Sequence, residues 1–439
     1  LEIKHLLKQQ QLHTIVSLWT NVCRFVLAVV FIFSGFVKAI DPLGTTYKIQ
    51  DYLEAVGWGS FVHTSASFLF ALLLAVIEFV LGVFLLFGFR RRISTAAVFV
   101  VMSVMTLLTL WLVWANPISD CGCFGDAIRL TNWQTLGKNI CLFVAAASVF
   151  KWRDRIRPLV TKRFDWLLEL YAFLFVGGVM LYSWRNLPIF DFRPYRIGAN
   201  IKAGMEIPEG KSPSVYETYF ILEKDGRKKE FTVEDYPDST WTFVDSRTVM
   251  VKKGYEPPIR DFSVIRQEDG TELTEEMLND KNFSFLLIAP QLNRADDSSV
   301  DLINELYDYC MEYGYAFYCL TASADEDIRC WKERTGAEYP FAISDDTTLR
   351  TIIRSNPGLL LLKDGTVINK WSVNNFPDEY QLTDRLEKLP LAQINRCSFL
   401  YRVVLVVICF FLPLLFFCMI DMVWERYKTI QNKPLNKNN

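Results

Sequence analysis

The chain has 439 residues, 51% of them hydrophobic and 15% aromatic, with a formal net charge of −2. That apolar and aromatic content exceeds what a water-soluble domain carries, so membrane-spanning segments are the first expectation. The near-neutral balance excludes an overall basic attraction to nucleic acid, and ten cysteines in this length exclude a disulfide-dense scaffold.

A crossing helix needs about 20 mostly apolar residues. Six stretches approach that length: 15–40, 66–88, 94–115, 135–151, 166–187 and 398–420, the fourth being short. The first is too long for the apolar core of a cleavable leader and lacks a small-residue cleavage site, so it reads as a span. Orientation follows the Lys and Arg of short loops. Arg90-Arg91-Arg92, the cluster Lys151, Arg153, Arg155, Arg157, Lys162 and Arg163, and the tail Arg426, Lys428, Lys433 and Lys437 belong inside. The loops at 41–65 and 116–134 are neutral or acidic and belong outside, which places both termini in the cytoplasm and exports 188–397.

Between spans three and four the chain reads Asp120-Cys121-Gly122-Cys123-Phe124-Gly125-Asp126. Pro117 ends the preceding helix, the glycines permit a tight turn, and Thr131 with Gln134 forms a capping box that starts span four. Two cysteines are thereby held on a short loop at the outer surface. A disulfide across such a spacing closes a small, strained ring, and strain makes it reducible. Three readings stay open: a redox dithiol, a structural staple or mere turn, and a metal site lacking further ligands.

Ionisable residues inside spans are costly and pair or line a cavity. Arg24 and Glu78 sit at compatible depths, so a pair is expected, either a clamp between helices or the polar wall of a quinone or proton site. Lys38, near the outer end, is expected to snorkel to the headgroups. Cys23 and Cys141, within spans one and four, are relay candidates or packing residues.

Arg24, Gly35, Lys38, Asp41-Pro42, Glu78, Gly82 and Gly88, with the Cys121-Gly-Cys123-Phe-Gly125 loop, make 15–150 resemble the DoxX/MauE group of four-helix membrane proteins. The resemblance implies a membrane component of thiol–disulfide metabolism, tied to maturation of disulfide-containing periplasmic proteins.

Residues 188–260 read as a β-rich extension with a hairpin over Thr218–Val233 turning at Asp225-Gly226. From Asp261 strands and helices alternate: strands at 261–266, Phe283–Ala289 and Tyr315–Thr321, helices at Ser298–Tyr313 and Glu326–Thr335, a Leu359–Ile368 hairpin turning at Asp364-Gly365, and a closing helix over Asp378–Lys388. That order, with Pro357 before the third core strand, resembles the thioredoxin superfamily near its TlpA and peroxiredoxin-like branches, and the resemblance implies that Pro357 is its cis-proline. The usual CxxC is missing: Gln291-Leu-Asn293-Arg294-Ala-Asp296-Asp297 stands in its place. Cys310, Cys319 and Cys330 read as core packing.

The expected fold is therefore a membrane α-helical bundle, a DoxX/MauE-like four-helix unit (15–151) plus further spans at 166–187 and 398–420, holding an α/β thioredoxin-like exported domain. That domain comprises the extension 188–260 and the core 261–390, and a cytoplasmic tail follows at 421–439. The expected site is Cys121 and Cys123, with Arg24 and Glu78 as a possible quinone cavity and Pro357, Asn356 and Arg294 as docking residues. No metal is expected. The expected role is thiol–disulfide exchange in a bacterial inner membrane, with lipid and a periplasmic thiol protein or envelope-complex partner as contacts and no nucleic acid. The alternative is a non-enzymatic scaffold.

Overall fold

The computed structural model describes residues 2–431 apart from 60, 119–120, 162, 164, 225–226, 233–234, 236, 238–239, 253, 261 and 395–398. They fall into two units, 1–193 with 395–439, and 194–394.

The first unit is helical: α1 (Glu2–Ile40), α2 (Pro42–Ala55), α3 (Thr64–Phe87), α4 (Arg91–Ala115), α5 (Asn132–Lys151), α6 (Asp165–Arg185) and the last helix, Phe399–Gln431. Their boundaries follow local chemistry. Asp41 caps α2, its carboxylate accepting from Gly44 N at 2.9 Å, with Pro42 at the first helical position. Gly88 closes α3 in the left-handed conformation, and the Thr131–Gln134 capping box opens α5 as the spacing predicts.

Five stretches are long and apolar enough to cross a membrane: Gln10–Ile40, Thr64–Phe87, Arg91–Ala115, Asp165–Arg185 and Phe399–Lys428. The stretch expected as the fourth span, 135–151, lies in the helix α5, 20 residues and about 30 Å long, which is not among these five. It falls short of those five in apolarity because Asn132, Gln134, Thr135, Lys138 and Asn139 occupy its first two turns. Asn139 turns inward, donating to Thr109 Oγ1 at 3.3 Å and to the Met105 carbonyl at 3.4 Å on α4. Bundle partners, not lipid, satisfy this polarity.

Helices α1 and α3 pack backbone against backbone. A Cβ on Gly35 would stand 2.4 Å from Phe79 N, and one on Gly82 would stand 2.6 Å from Ile32 N. These two glycines fix the register of the pair: Gly35 lies level with Ala75 and Phe79, Gly82 with Ala28 and Ile32. The loop 41–65 between α1 and α3 carries α2.

The second unit begins with the short α7 (Ile201–Met205) and an antiparallel sheet of β1 (Val215–Lys224), β2 (Arg227–Phe231) and β3 (Thr242–Lys252) in the order β2-β1-β3. The turn expected at Asp225-Gly226 lies outside the described residues. Then follow β4 (Ile265–Arg266), α8 (Thr274–Asn279), β5 (Phe283–Ile288), α9 (Val300–Tyr313), β6 (Ala316–Thr321), α10 (Asp325–Thr335), β7 (Phe341–Ile343), α11 (Asp346–Ile352), β8 (Gly358–Lys363) and β9 (Thr366–Ser372). The sheet order is β4-β7-β6-β5-β8-β9, with β5, β6 and β7 parallel and β4, β8 and β9 antiparallel to their neighbours. A parallel β5-α9-β6 crossover joined edge to edge with the β8–β9 hairpin is the thioredoxin-like arrangement. Every residue of β5 is buried, which suits a central strand covered on both faces. Phe285, Leu306, Trp331, Tyr339 and Leu361 form the core between sheet and helices.

Two expectations fail here. The sequence reading omits β7 and α11, which insert between α10 and β8; β7 is three residues long, too short to show a period. The closing helix over Asp378–Lys388 does not form, and only Leu386–Lys388 makes a 3-10 turn. The Asp378 carboxylate accepts from Gln381 N as a helix cap would, but the Asp384 carboxylate takes the Arg385 N–H within the segment. Tyr309 OH donates to the Asp384 carbonyl at 2.6 Å and Leu386 N donates to Tyr315 OH at 3.0 Å, which ties the segment down as a strap.

Candidate functional site

The Cys121–Cys123 loop covers the end of the bundle where α1 ends and α3 begins. Gly122 has a φ of +66°, and a Cβ there would meet the Lys48 side chain of α2 at 2.8 Å, so a residue with a side chain is both strained and obstructed. The Gly125 N–H closes the turn onto the Gly122 carbonyl at 3.0 Å. The two sulfurs lie 3.0 Å apart as free thiols. Cys121 is buried and Cys123 half-buried. The loop is thus less open than the sequence suggests, because α2 folds against it. Tyr52 OH of α2 donates to the Cys121 carbonyl at 2.8 Å.

The Cys123 carbonyl is held from below. Ser34 Oγ donates to it at 2.7 Å and Lys38 Nζ at 2.8 Å, both from the last two turns of α1. The same ammonium donates to Ser34 Oγ at 2.7 Å and to Glu78 Oε2 at 2.6 Å, and both charged side chains are buried. Three acceptors around one ammonium satisfy its donors, as a buried charge requires. Phe124 is packed between Phe33, at 5.5 Å between ring centroids, and Lys138 of α5, whose Nζ lies 4.2 Å from the ring centroid. A small hollow, with room for about one water, borders Cys123 and is lined by Phe124, Arg129, Leu130 and Thr135 among others.

This environment splits the two thiols. A hydrogen bond from Cys121 holds the Cys123 thiol below the usual range, at about 6, with Lys138 and Lys38 adding to the effect against burial and Glu78. Cys121 is pushed up, first by that hydrogen bond and then by burial. A thiolate shared this way is the form that attacks disulfides and metals. No group of three or more His, Cys, Asp or Glu gathers for a metal among the described residues.

The expected Arg24–Glu78 pair does not form. The Gly35 and Gly82 contacts put Glu78 level with the outer part of α1, while Arg24 lies 14 residues before Lys38, about 21 Å along the helix. Arg24 instead donates to the Arg157 carbonyl at 3.3 Å at the opposite end of the bundle. Arg24 and Glu78 therefore do not share one polar wall. Lys38 does not snorkel; it is buried and takes the place given to Arg24. Position within a span misled the reading, since only helix register says which charge meets which. Cys23 lies in the core with Leu27, Phe31, Leu81 and Leu85, whereas Cys141 faces outward from α5.

In the second unit, Gln291 to Ser299 connects β5 to α9 without a cysteine. The Asn356–Pro357 peptide is cis. Asn356 Nδ2 donates to the Gln291 carbonyl at 2.8 Å, and Asp296 N donates to the Asn356 carbonyl at 3.0 Å. Arg294 is exposed on the same loop and Pro357 is buried. Structure thus brings Asn356 and Pro357 to the segment joining β5 to α9. Burial pushes the Cys310 and Cys319 thiols up, as expected of packing residues, and Cys330 is exposed.

Residues 15–151 match the family described as methylamine utilisation protein MauE, and 216–253, which includes most of the three-stranded sheet, match a domain of unknown function, DUF8463. No curated protein matches the chain. Among solved structures, the solution structure of a Bacteroides thetaiotaomicron protein, provisionally named a protein disulfide isomerase, aligns at 15% identity over 26% of this chain and 76% of that one, with a TM-score of 0.22. The thioredoxin-like assignment accordingly rests on the strand order of the second unit itself. What these observations establish together is a MauE-like membrane protein with a thioredoxin-like domain.

Proposed function

We propose that Cys121 and Cys123 form a redox dithiol at the outer face of a bacterial inner membrane, exchanging with the dithiol or disulfide of an extracytoplasmic partner. The carrying observation is the contact of the two sulfurs at 3.0 Å on a loop whose two cysteine carbonyls are each held by side chains of α1 and α2. The exposed Trp114 and Trp133 flank the loop, as aromatic residues do at a membrane–water interface. Arg90, Arg91, Arg155 and Arg157 gather at the opposite end with Arg24, which supports a cytoplasmic face there. Both termini are then cytoplasmic and the second unit is periplasmic. With no cysteine in the segment joining β5 to α9, that unit docks the partner through the surface around Arg294 and Asn356, next to the buried Pro357, and does no thiol chemistry itself.

The exchange balances without a metal or bound cofactor. A partner dithiol reduces the Cys121–Cys123 disulfide through a mixed disulfide, or the reduced pair gives two electrons and two protons to a partner disulfide. Alkylation-shift measurement in growing cells should find both redox forms, moving with the respiratory state. A pair that is fully oxidised under all conditions and resists mild reductant would overturn the reading. The burial of Cys121 favours one second reading, a scaffold stapled by this loop, and that outcome would establish it.

A further inference from the structure

Resting on that function, we infer that Cys123 is the sulfur that forms the mixed disulfide, that Cys121 resolves it, and that Lys138 is the cation that positions and favours the attacking thiolate. The two sulfurs are not equivalent in space. Cys121 is buried under α2, with its carbonyl taken by Tyr52, whereas Cys123 is half-buried and borders the hollow beside Phe124, Arg129 and Leu130. Cys123 lines that hollow and Cys121 does not, so a partner sulfur entering it reaches Cys123.

The charged groups around Cys123 come from four helices and the loop itself, and most are already neutralised. On α1 and α3, Lys38 is paired with Glu78 at 2.6 Å. On α2, Lys48 lies 3.9 Å from Asp51. On the loop itself, Arg129 is paired with Asp126 at 2.7 Å. Lys138 on α5 sits over the Phe124 ring, the residue next to Cys123, and among the described residues it has no carboxylate within ion-pair distance. An ammonium on an aromatic face keeps its charge available to its surroundings. Its attraction therefore falls on Cys123 with less cancellation than that of the other cations. The preference of Cys123 for the thiolate state agrees with this geometry.

The sequence of bond changes is as follows. The Cys123 thiolate attacks one sulfur of a disulfide; the new S–S bond forms as the old one breaks, and the leaving thiolate takes a proton from water. Cys121 then gives its proton to water and attacks Cys123 Sγ, and the second sulfur leaves as a thiolate that takes a proton back from water. Two electrons have passed from the cysteine pair to the disulfide.

Full-length protein in detergent, incubated with oxidised glutathione and read by peptide mass spectrometry, separates the roles. The Cys121→Ser variant should accumulate a Cys123–glutathione adduct, wild type should convert to the internal disulfide, and the Cys123→Ser variant should capture glutathione at Cys121 several-fold more slowly. Lys138→Gln should move the pH midpoint of Cys123 alkylation up by about one unit, and Lys138→Arg should restore it. Faster capture by Cys121 would overturn the assignment of the two sulfurs while leaving the function intact. An unmoved midpoint in a folded Lys138→Gln protein would overturn the role of Lys138. Capture by neither cysteine would overturn the function itself.

Discussion

At the scale of single residues, the buried Lys38–Glu78 pair decides how the cysteine loop is held. Removing one partner strands a charge away from water. Lys38→Met should cost about 3–5 kcal/mol, and much of that should return in Lys38→Met/Glu78→Leu, where both charges are gone. Thermal unfolding in detergent checks both variants. A double variant as unstable as the single one would show that the loop contacts of Lys38, and not its charge, carry the effect. The thiols give a pH prediction of definite sign. Cys123 is held at about 6, below the roughly 8.5 of an ordinary thiol, so its thiolate persists as pH falls and is lost only through about 6. Alkylation of the reduced protein at Cys123 should stay fast at pH 7 and drop below 6, whereas Cys121, pushed up, should react only in strongly basic solution. Neither partner of the Lys38 pair nor the burial of Cys121 shows in the local sequence, because both depend on what folds against them.

At the scale of elements, the glycines separate into those that set a register and those that do not. Gly35 and Gly82 allow α1 and α3 to touch backbones, so Gly35→Leu or Gly82→Val should destabilise by about 1–3 kcal/mol or more through overpacking. The same register carries Lys38 to Glu78, so these variants should also release the cysteine loop and raise its reducibility by mild thiols. Gly177, in α6, has open space around its Cβ position. Gly177→Ala should therefore be neutral or stabilising by up to about 1 kcal/mol. Thermal unfolding of the set tests the contrast; equal effects at Gly35 and Gly177 would remove the register argument. The strap at 378–389 is a second element-scale case. Leu386 is fully buried in the core with Leu389 and Tyr315, so Leu386→Ala should cost about 2–5 kcal/mol despite the absence of a helix there.

For the whole molecule, the second unit is expected outside and chemically silent. A cysteine introduced at the exposed Gly270 turn should be labelled by a membrane-impermeant maleimide in cells whose outer barrier is opened. Labelling only after disruption of the inner membrane would reverse the topology. Purified 194–394 should reduce insulin no faster than its own cysteine-free variant, since Cys310 and Cys319 are buried thiols pushed up and the segment joining β5 to α9 carries no cysteine. Turnover dependent on any of its cysteines would show a site that the fold hides.

The sequence by itself determined the membrane helices, because about 20 apolar residues in a row have few alternatives in water. It determined the capping box at Thr131, because a cap is a bond between neighbours. It determined the β5-α9-β6 and β8–β9 order, because continuous buried strands such as Phe283–Ile288 declare themselves by composition. The CGC loop was visible for the same local reason. Only tertiary structure decided that Lys38 and not Arg24 meets Glu78, that α2 buries Cys121, and that Lys138 reaches the Phe124 ring. Those facts depend on the register of α1 against α3 and on which helix lies beside which. Register is set by backbone approach at Gly35 and Gly82, a relation between residues far apart in the chain that no periodicity within one segment records.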